Sequence, residues 1–208
     1  MTFEQGLAAW QQGEHVQAIA IWQTLAQQGH ARAQYNLGVL LDEGYVVERD
    51  PEQACYYYAL AAEQGYANAA FNLAVLLDQG DGIAREANQA ARWYYVAAEQ
   101  GNVQAQFYLG LKFDTGDGLP ADAVQAARWY FEAASRGHAA ACSNLGRCFA
   151  MGEGVERSDL EAYKWFGLAA ELGVVNAGRY RERVARELSP AERLQAGQQI
   201  SKWLHLLS

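Results

Sequence analysis

The fold class predicted by this sequence is all-α: an α/α solenoid of helical hairpins. A 36-residue internal period carries the prediction, because glycine recurs in register at Gly29, Gly65, Gly101, Gly137 and Gly173. Within a unit the apolar positions follow helical spacing, as Ala33, Leu37 and Leu41 do at i, i+4 and i+8. The alternation that marks a half-buried strand is missing, and only three prolines occur in 208 residues.

Residues 1–28 read as a divergent first hairpin, with Leu7 and Trp10 on one helix, a turn at Gly13, and Ala18, Trp22 and Leu25 on the next. Four full units follow over residues 29–172. Each opens with a helix, from about Ala31 to Leu41 in the first unit, whose buried face carries Ala33 and Leu37; Ala69 and Leu73, Ala105 and Leu109, and Ala141 and Leu145 repeat the pair. Glycine at 44, 80, 116 and 152 ends this helix, and Gly82, Gly118 and Gly154 give the loop a second permissive position. Val46 takes that place in the first unit, so its loop is expected to bend differently.

The second helix of each unit starts with capping chemistry at Asp50, Glu86, Asp122 and Ser158, and Ser158 with Glu161 has the spacing of a capping box. Its body alternates small and large: Ala54, Ala90, Ala126 and Ala162, then Tyr57, Trp93, Trp129 and Trp165, then Tyr58, Tyr94, Tyr130 and Phe166. Alanines let helices approach while rings fill the gaps. Beyond Gly173 the pattern drifts, and residues 173–208 read as capping helices. Ser189-Pro190-Ala191-Glu192 starts the last one, which carries Ile200, Trp203, Leu204 and Leu207 over the final repeat. No linker is long enough to divide the chain, so a single domain is expected.

Composition bounds the partner. With 51% hydrophobic and 19% charged residues and no apolar run of spanning length, a soluble chain without membrane insertion is expected. The start Met1-Thr2-Phe3-Glu4 lacks the basic and apolar blocks of a secretory leader, which points to the cytoplasm. A net charge of −8 argues against nucleic acid and is compatible with a basic partner segment. Cys55, Cys142 and Cys148 form no zinc or redox pattern and read as free thiols.

The period, the triplets Asn36-Leu37-Gly38 and Asn144-Leu145-Gly146, the Gly-x-Gly loops and the aromatic pair followed by Ala-Ala and glycine resemble the Sel-one-like repeat (SLR) family, relatives of the tetratricopeptide repeats. The resemblance implies a right-handed superhelix of antiparallel helix pairs, a concave face lined by the first helices, and a non-enzymatic adaptor or scaffold holding other proteins. A secreted, cysteine-rich branch of that family carries a disulfide in each repeat and is associated with β-lactam compounds. This chain departs from it, since Cys142 and Cys148 lie six residues apart on different faces of one helix.

If Leu37 marks the buried direction, Arg32, Tyr35, Asn36, Val39 and Asp42 lie opposite. The second unit places Asn68, Phe71, Asn72, Val75 and Asp78 there, and the third Gln104, Phe107, Tyr108, Leu111 and Asp114. In the fourth the stripe fades to Ala140, Ser143, Asn144, Arg147 and Ala150 and turns basic. Such a face suits a protein or peptide segment: rings for apolar contact, asparagines for its backbone, aspartates for its lysines or arginines. Equally, the rings could only touch neighbouring helices. Aspartates near a helix C-terminus are electrostatically unfavourable, which raises the weight of a role beyond stability.

No cofactor or metal is expected. Asp78-Gln79-Gly80-Asp81-Gly82 lacks the spacing and closing glutamate of a calcium loop, and His30 and His138 share a column with Tyr66 and Asn102. Ser143 has no candidate base nearby, which disfavours the β-lactam-interacting enzyme class. An inhibitor or immunity-type protein that blocks one cognate partner is the sharper alternative to an adaptor. Arg179, Arg181, Arg183 and Arg186 read first as a solvated helix face and second as a patch for an acidic partner. A monomer or weak oligomer is expected.

Overall fold

A computed structural model describes residues 1–207 and, among them, contains helices and no strand. The described chain forms two compact units, one from Met1 to Asn102 and one that begins at Val103. The first holds α1 (Phe3–Gln11), α2 (His15–Gln27), α3 (Ala31–Glu43), α4 (Pro51–Glu63), α5 (Ala67–Gln79) and α6 (Ala87–Glu99). The second holds α7 (Val103–Thr115), α8 (Ala123–Ala134), α9 (Ala139–Met151), α10 (Asp159–Glu171), α11 (Ala177–Val184) and α12 (Pro190–Leu207). Within each unit helices adjacent in sequence pack on one another, from α1 to α6 in the first and from α7 to α11 in the second, where α12 packs on α10.

The first helix of a repeat buries a narrower face than the i, i+4, i+8 pattern suggests. In α3 the buried positions are Ala33, Gln34, Leu37, Gly38 and Leu40, while Leu41 is only half-buried. The reason is angular: seven residues return within about 20° of the starting direction, whereas eight overshoot by about 80°. The helix ends at Gly44 in the left-handed region, as α5 does at Gly80 and α9 at Gly152. No non-glycine residue described has positive φ, so Val46 does bend its loop differently from Gly82 and Gly154.

Capping holds at three of the four second helices. Asp50 Oδ1 accepts from the Gln53 amide at 2.9 Å, Asp122 Oδ1 from Val124 at 2.9 Å, and Ser158 Oγ from Glu161 at 3.2 Å. Glu86 is a correction: its side chain caps nothing and its carboxylate accepts from Gln89 instead. The capping box at Ser158 is half formed, because the Glu161 carboxylate pairs with Lys164 rather than turning back.

The core of each unit is alanine interleaved with rings. Tyr58, Tyr94 and Tyr130 are among the most buried large side chains, and Phe166 continues their column. A glycine on the facing helix admits the ring: a Cβ at Gly38, Gly110 or Gly146 would stand 2.6, 2.7 or 2.8 Å from Tyr58, Tyr130 or Phe166. The Asn-Leu-Gly triplet therefore ends in glycine because an aromatic face lies on it.

The N-terminal hairpin uses the same device, since Gly6 receives the Trp22 indole, which stands 36 residues before Tyr58. Its first helix buries Phe3, Gly6 and Ala9, with Trp10 half-buried 5.5 Å from Trp22. Leu7, expected on that face, is 37% exposed, because the helix rotates to lay Gly6 on the indole.

At the other end the capping box at Ser189 is complete. Its backbone amide donates to Glu192 at 2.8 Å, and Ser189 Oγ accepts from the Glu192 amide at 3.3 Å. Helix α12 then lays Ile200 over Gly167 of α10 and sets Trp203 edge-on to Trp165 at 5.0 Å. Leu204 packs against the same cluster, and the Leu207 side chain lies outside the described residues. Helix α11 occupies the place of a fifth first helix, but Arg181 stands where Leu37 and its equivalents lie, its guanidinium 5.9 Å from the Tyr163 ring. Losing that leucine is why the pattern drifts after Gly173.

Candidate functional site

In the first unit the face formed by α3 and α5 gathers Tyr35, Val39, Asp42, Phe71, Asn72 and Val75 around a pocket of about 190 Å³, with Glu43 and Tyr58 completing its wall. The Tyr58 hydroxyl lies at its base, donating to Asp42 Oδ2 at 3.4 Å and accepting from Asn72 Nδ2 at 3.2 Å. Arg49 steadies the acid by donating from Nε to the Asp42 carbonyl at 2.8 Å and placing Nη2 3.7 Å from its carboxylate. Arg85 treats Asp78 in the same way, at 2.8 Å from the carbonyl and 3.3 Å from the carboxylate.

These arginines answer the electrostatic objection to aspartate at a helix C-terminus, for each satisfies a terminal carbonyl and brings a guanidinium within 4 Å of the acid, Arg49 sharing its Nη2 with Asp81 at 2.8 Å. Burial still pushes the Asp42 carboxyl above its ordinary value, against the opposing pull of Arg49 and the Tyr58 hydroxyl. Burial also raises the Tyr35 and Tyr58 phenols, so both remain protonated near neutrality.

The rings turn out to be both packing and surface. Tyr35 is half-buried, 6.0 Å from Tyr58 and 4.9 Å from Tyr66, and Phe71 lies 6.0 Å from Tyr94. One side of each ring touches its own repeat, while both line the pocket. Other expected residues point elsewhere. Arg32 sits over the Phe3 ring at 4.4 Å, Asn68 accepts from Asn102 at 3.1 Å, and Asn36 is half-buried outside the pocket wall.

In the second unit Phe107 is covered more fully, stacked on His138 at 4.3 Å and 6.2 Å from Tyr130, with Tyr108 edge-on at 5.5 Å. Leu111 packs against the core. Gln104 Oε1 is 3.2 Å from His138 Nε2, and His138 Nδ1 accepts from the Ala141 amide at 3.1 Å, which fixes the tautomer with the proton on Nε2. The histidine column is thus an N-cap column, a role that His30 repeats on α3 at 3.3 Å from the Ala33 amide. Sequence reading had no signal for this, because histidine is not among the usual capping residues.

Burial lowers the His138 pKa below that of a free imidazole. A folded value below the unfolded one means stability is full above the unfolded pKa and falls as pH drops through the folded value, where protonation also removes the cap acceptor. His138→Asn is expected to cost less than about 1 kcal/mol at neutral pH and to flatten the loss of stability between pH 7 and 5. Urea unfolding midpoints of both proteins across that range check it.

Asp114 accepts from the Tyr130 hydroxyl at 3.1 Å and pairs with Arg147 at 2.5 Å, while the other guanidinium nitrogen of Arg147 pairs with Glu153. In this repeat Ala121 stands where Arg49 and Arg85 do, and Arg147 from the following helix takes over the acid. Buried Lys112, in a column held by Leu40 and Leu76, reaches Asp117 in the adjoining loop at 2.6 Å.

Asn144 and Arg147 line a larger cavity, about 570 Å³, together with Ser143, Ala150, Phe166 of α10 and Tyr180, Arg183 and Val184 of α11. Of the α11 residues, Arg183 belongs to the arginine run read as a solvated face or a patch for an acidic partner, whereas Tyr180 and Val184 escaped sequence reasoning because the repeat pattern has already drifted there.

Burial pushes the Cys55, Cys142 and Cys148 thiols up to about 11, 12 and 11, so none is a thiolate near neutrality. No group of three or more metal-ligating side chains occurs among the described residues. Among the same residues no helix is long and apolar enough to cross a membrane.

Comparison with known proteins finds the same 36-residue period, set two residues later than the units counted from Gly29. The family model described as Sel1 repeat matches residues 31–66, 67–102, 103–138 and 139–174. Among solved structures, a Sel1 repeat protein from Oxalobacter formigenes is 28% identical with a TM-score of 0.82, covering 97% of this chain and 85% of the other. A protective antigen of uropathogenic Escherichia coli with an SLR fold, c5321, is also 28% identical at a TM-score of 0.55, covering 91% of this chain and 48% of its own length. Cysteine rich protein B of Helicobacter pylori shares the fold at 24% identity and a TM-score of 0.50, over 65% of this chain and 98% of the other. No curated protein matches significantly.

Proposed function

The chain belongs to the Sel1 repeat family, whose members in general mediate protein–protein interaction, and from that premise we propose that it is a non-enzymatic adaptor holding a protein or peptide segment on its first-helix face. The observation that carries this reading is the pocket in the first unit. Six residues expected to bind line it together, two of them rings with one side packed and the other turned to the pocket. Residues 29–64 carry two basic and six acidic groups, so a segment with lysine or arginine suits this unit. A cytoplasmic setting and a monomeric or weakly associating chain go with the proposal.

Val39 and Val75 are the residues to change, since Tyr35 and Phe71 also support the fold. Peptides selected from a display library on the full chain are expected to lose at least about tenfold in affinity for the Val39→Lys/Val75→Lys variant, a change of about 1.4 kcal/mol or more. The melting temperature should hold. Unchanged affinity for every selected peptide would remove the first-helix face of this unit from the proposal.

A further inference from the structure

We propose that the cavity framed by α9, α10 and α11 is an anchor site for an acidic peptide segment bearing a large apolar side chain. This deepens the adaptor reading and rests on it, adding a second contact of opposite charge preference. The argument comes from comparing equivalent places in the two units. One repeat period relates this cavity to the pocket between α3 and α5 three times over, yet it holds about 570 Å³ against about 190 Å³.

Three replacements open it. Ser143 stands where Tyr35 places a ring, Ala150 where Asp42 places a carboxylate, and Phe166 where Tyr58 places a hydroxyl. The acid and the phenol that bond each other in the first repeat are thus lost together, so neither leaves an unsatisfied partner behind. What remains is an apolar floor of Phe166, Ala150 and Val184, with the Tyr180 ring 5.4 Å from Phe166. The volume lies within the range of about 300–1,000 Å³ that ligand pockets occupy.

Two more exchanges change the rim, Arg147 for Val39 and, on α11, Arg183 for Val75. Their availability differs. Arg147 is engaged by Asp114 and Glu153, and Arg157, also on the rim, by Asp159 at 3.2 Å. Exposed Arg183 makes no ion pair among the described residues. Glu187, in the 3-10 turn Ala185–Glu187 that follows α11, also lines the mouth, so a carboxylate is favoured only on the side of Arg183 away from it. The complement is therefore an apolar side chain seated on Phe166 with a carboxylate beside it at Arg183, a pairing of planar guanidinium and carboxylate that a lysine would not reproduce.

The test uses the full chain and three fluorescein-labelled nonapeptides: a central tryptophan flanked by aspartates, the same flanked by lysines, and the aspartate peptide with alanine at its centre. Fluorescence anisotropy is expected to show the aspartate–tryptophan peptide binding at least about tenfold tighter than either other. Ser143→Tyr, which restores the ring of the first repeat, and Arg183→Glu should each weaken it at least about fivefold with melting temperature unchanged. Val39→Lys/Val75→Lys should leave it alone, so failure here and failure of the first-unit pocket are separate results.

Equal binding of the lysine peptide, indifference to both substitutions, or no saturable binding overturns the proposal. Concentration-dependent self-association lost in Ser143→Tyr, without peptide affinity, would assign the cavity to a second copy of the chain. Binding of indole-3-acetate alone, with no contribution from flanking aspartates, would assign it to a small aromatic acid.

Discussion

Replacing Gly154 by alanine is expected to destabilise the chain by roughly 3–5 kcal/mol, more than any other single-methyl change at a loop glycine. Two causes add. Gly154 has φ of +72°, a conformation that a Cβ disfavours by about 1–2 kcal/mol. Its Cβ would also stand 1.9 Å from the carbonyl oxygen of Ala123 and 2.8 Å from the amide nitrogen of Val124, both backbone atoms at the start of α8. A side chain could swing away, but a helix terminus must move as a body, taking the Asp122 cap with it. The control is Gly173→Ala, where φ is +91° and nothing lies within 4 Å of the added carbon. That change should cost only the backbone penalty of about 1–2 kcal/mol. Urea midpoints that agree for the two variants would show that the loop does not press on α8.

Tyr130→Ala is the second large effect, a loss of about 3–5 kcal/mol through transfer and cavity terms together. The residue is 0% exposed and its ring lies on Gly110, which has no side chain of its own to fill the space. Tyr130→Phe keeps the ring and removes the hydroxyl with its bonds to Asp114 and Asn144, so about 1–2 kcal/mol should follow, with Arg147 still holding the acid. Combining Tyr130→Phe with Asp114→Ala copies the Phe166 and Ala150 pair of the following repeat. The double variant is expected to lose less than the sum of its parts, because both single changes remove the same Tyr130–Asp114 hydrogen bond. An additive thermal-unfolding cycle would show that hydroxyl and carboxylate do not depend on each other.

The candidate site was legible in the sequence to different depths in the two units. Facing positions such as Val39, Asn72 and Val75 could be placed because they follow from helical rotation alone, starting at Leu37. Whether Asp42 and Asp114 were free could not, since their partners Tyr58, Arg49, Tyr130 and Arg147 sit 7 to 33 residues away in positions that read as packing, loop or rim. Leu7 and Leu41 show the same limit inside single helices: an apolar residue near the buried stripe lands in or out of it according to what the helix meets.

The sequence by itself determined the helix pairs, their 36-residue period, the glycine ends of the first helices and most caps of the second. Each of these rests on atoms within a few residues of one another, such as a left-handed φ, a side-chain oxygen reaching an amide three positions on, or the 3.6-residue turn. Tertiary structure alone decided which rings are core and which are half surface, that His30 and His138 are caps, and that the second unit opens a cavity where the first has a shallow pocket. Those outcomes depend on what stands across the interface. Phe166 and Ser143 leave the space, but which side chains frame it is decided by α11, which brings Tyr180 and Arg183 to its edge from beyond the point where the repeat pattern drifts.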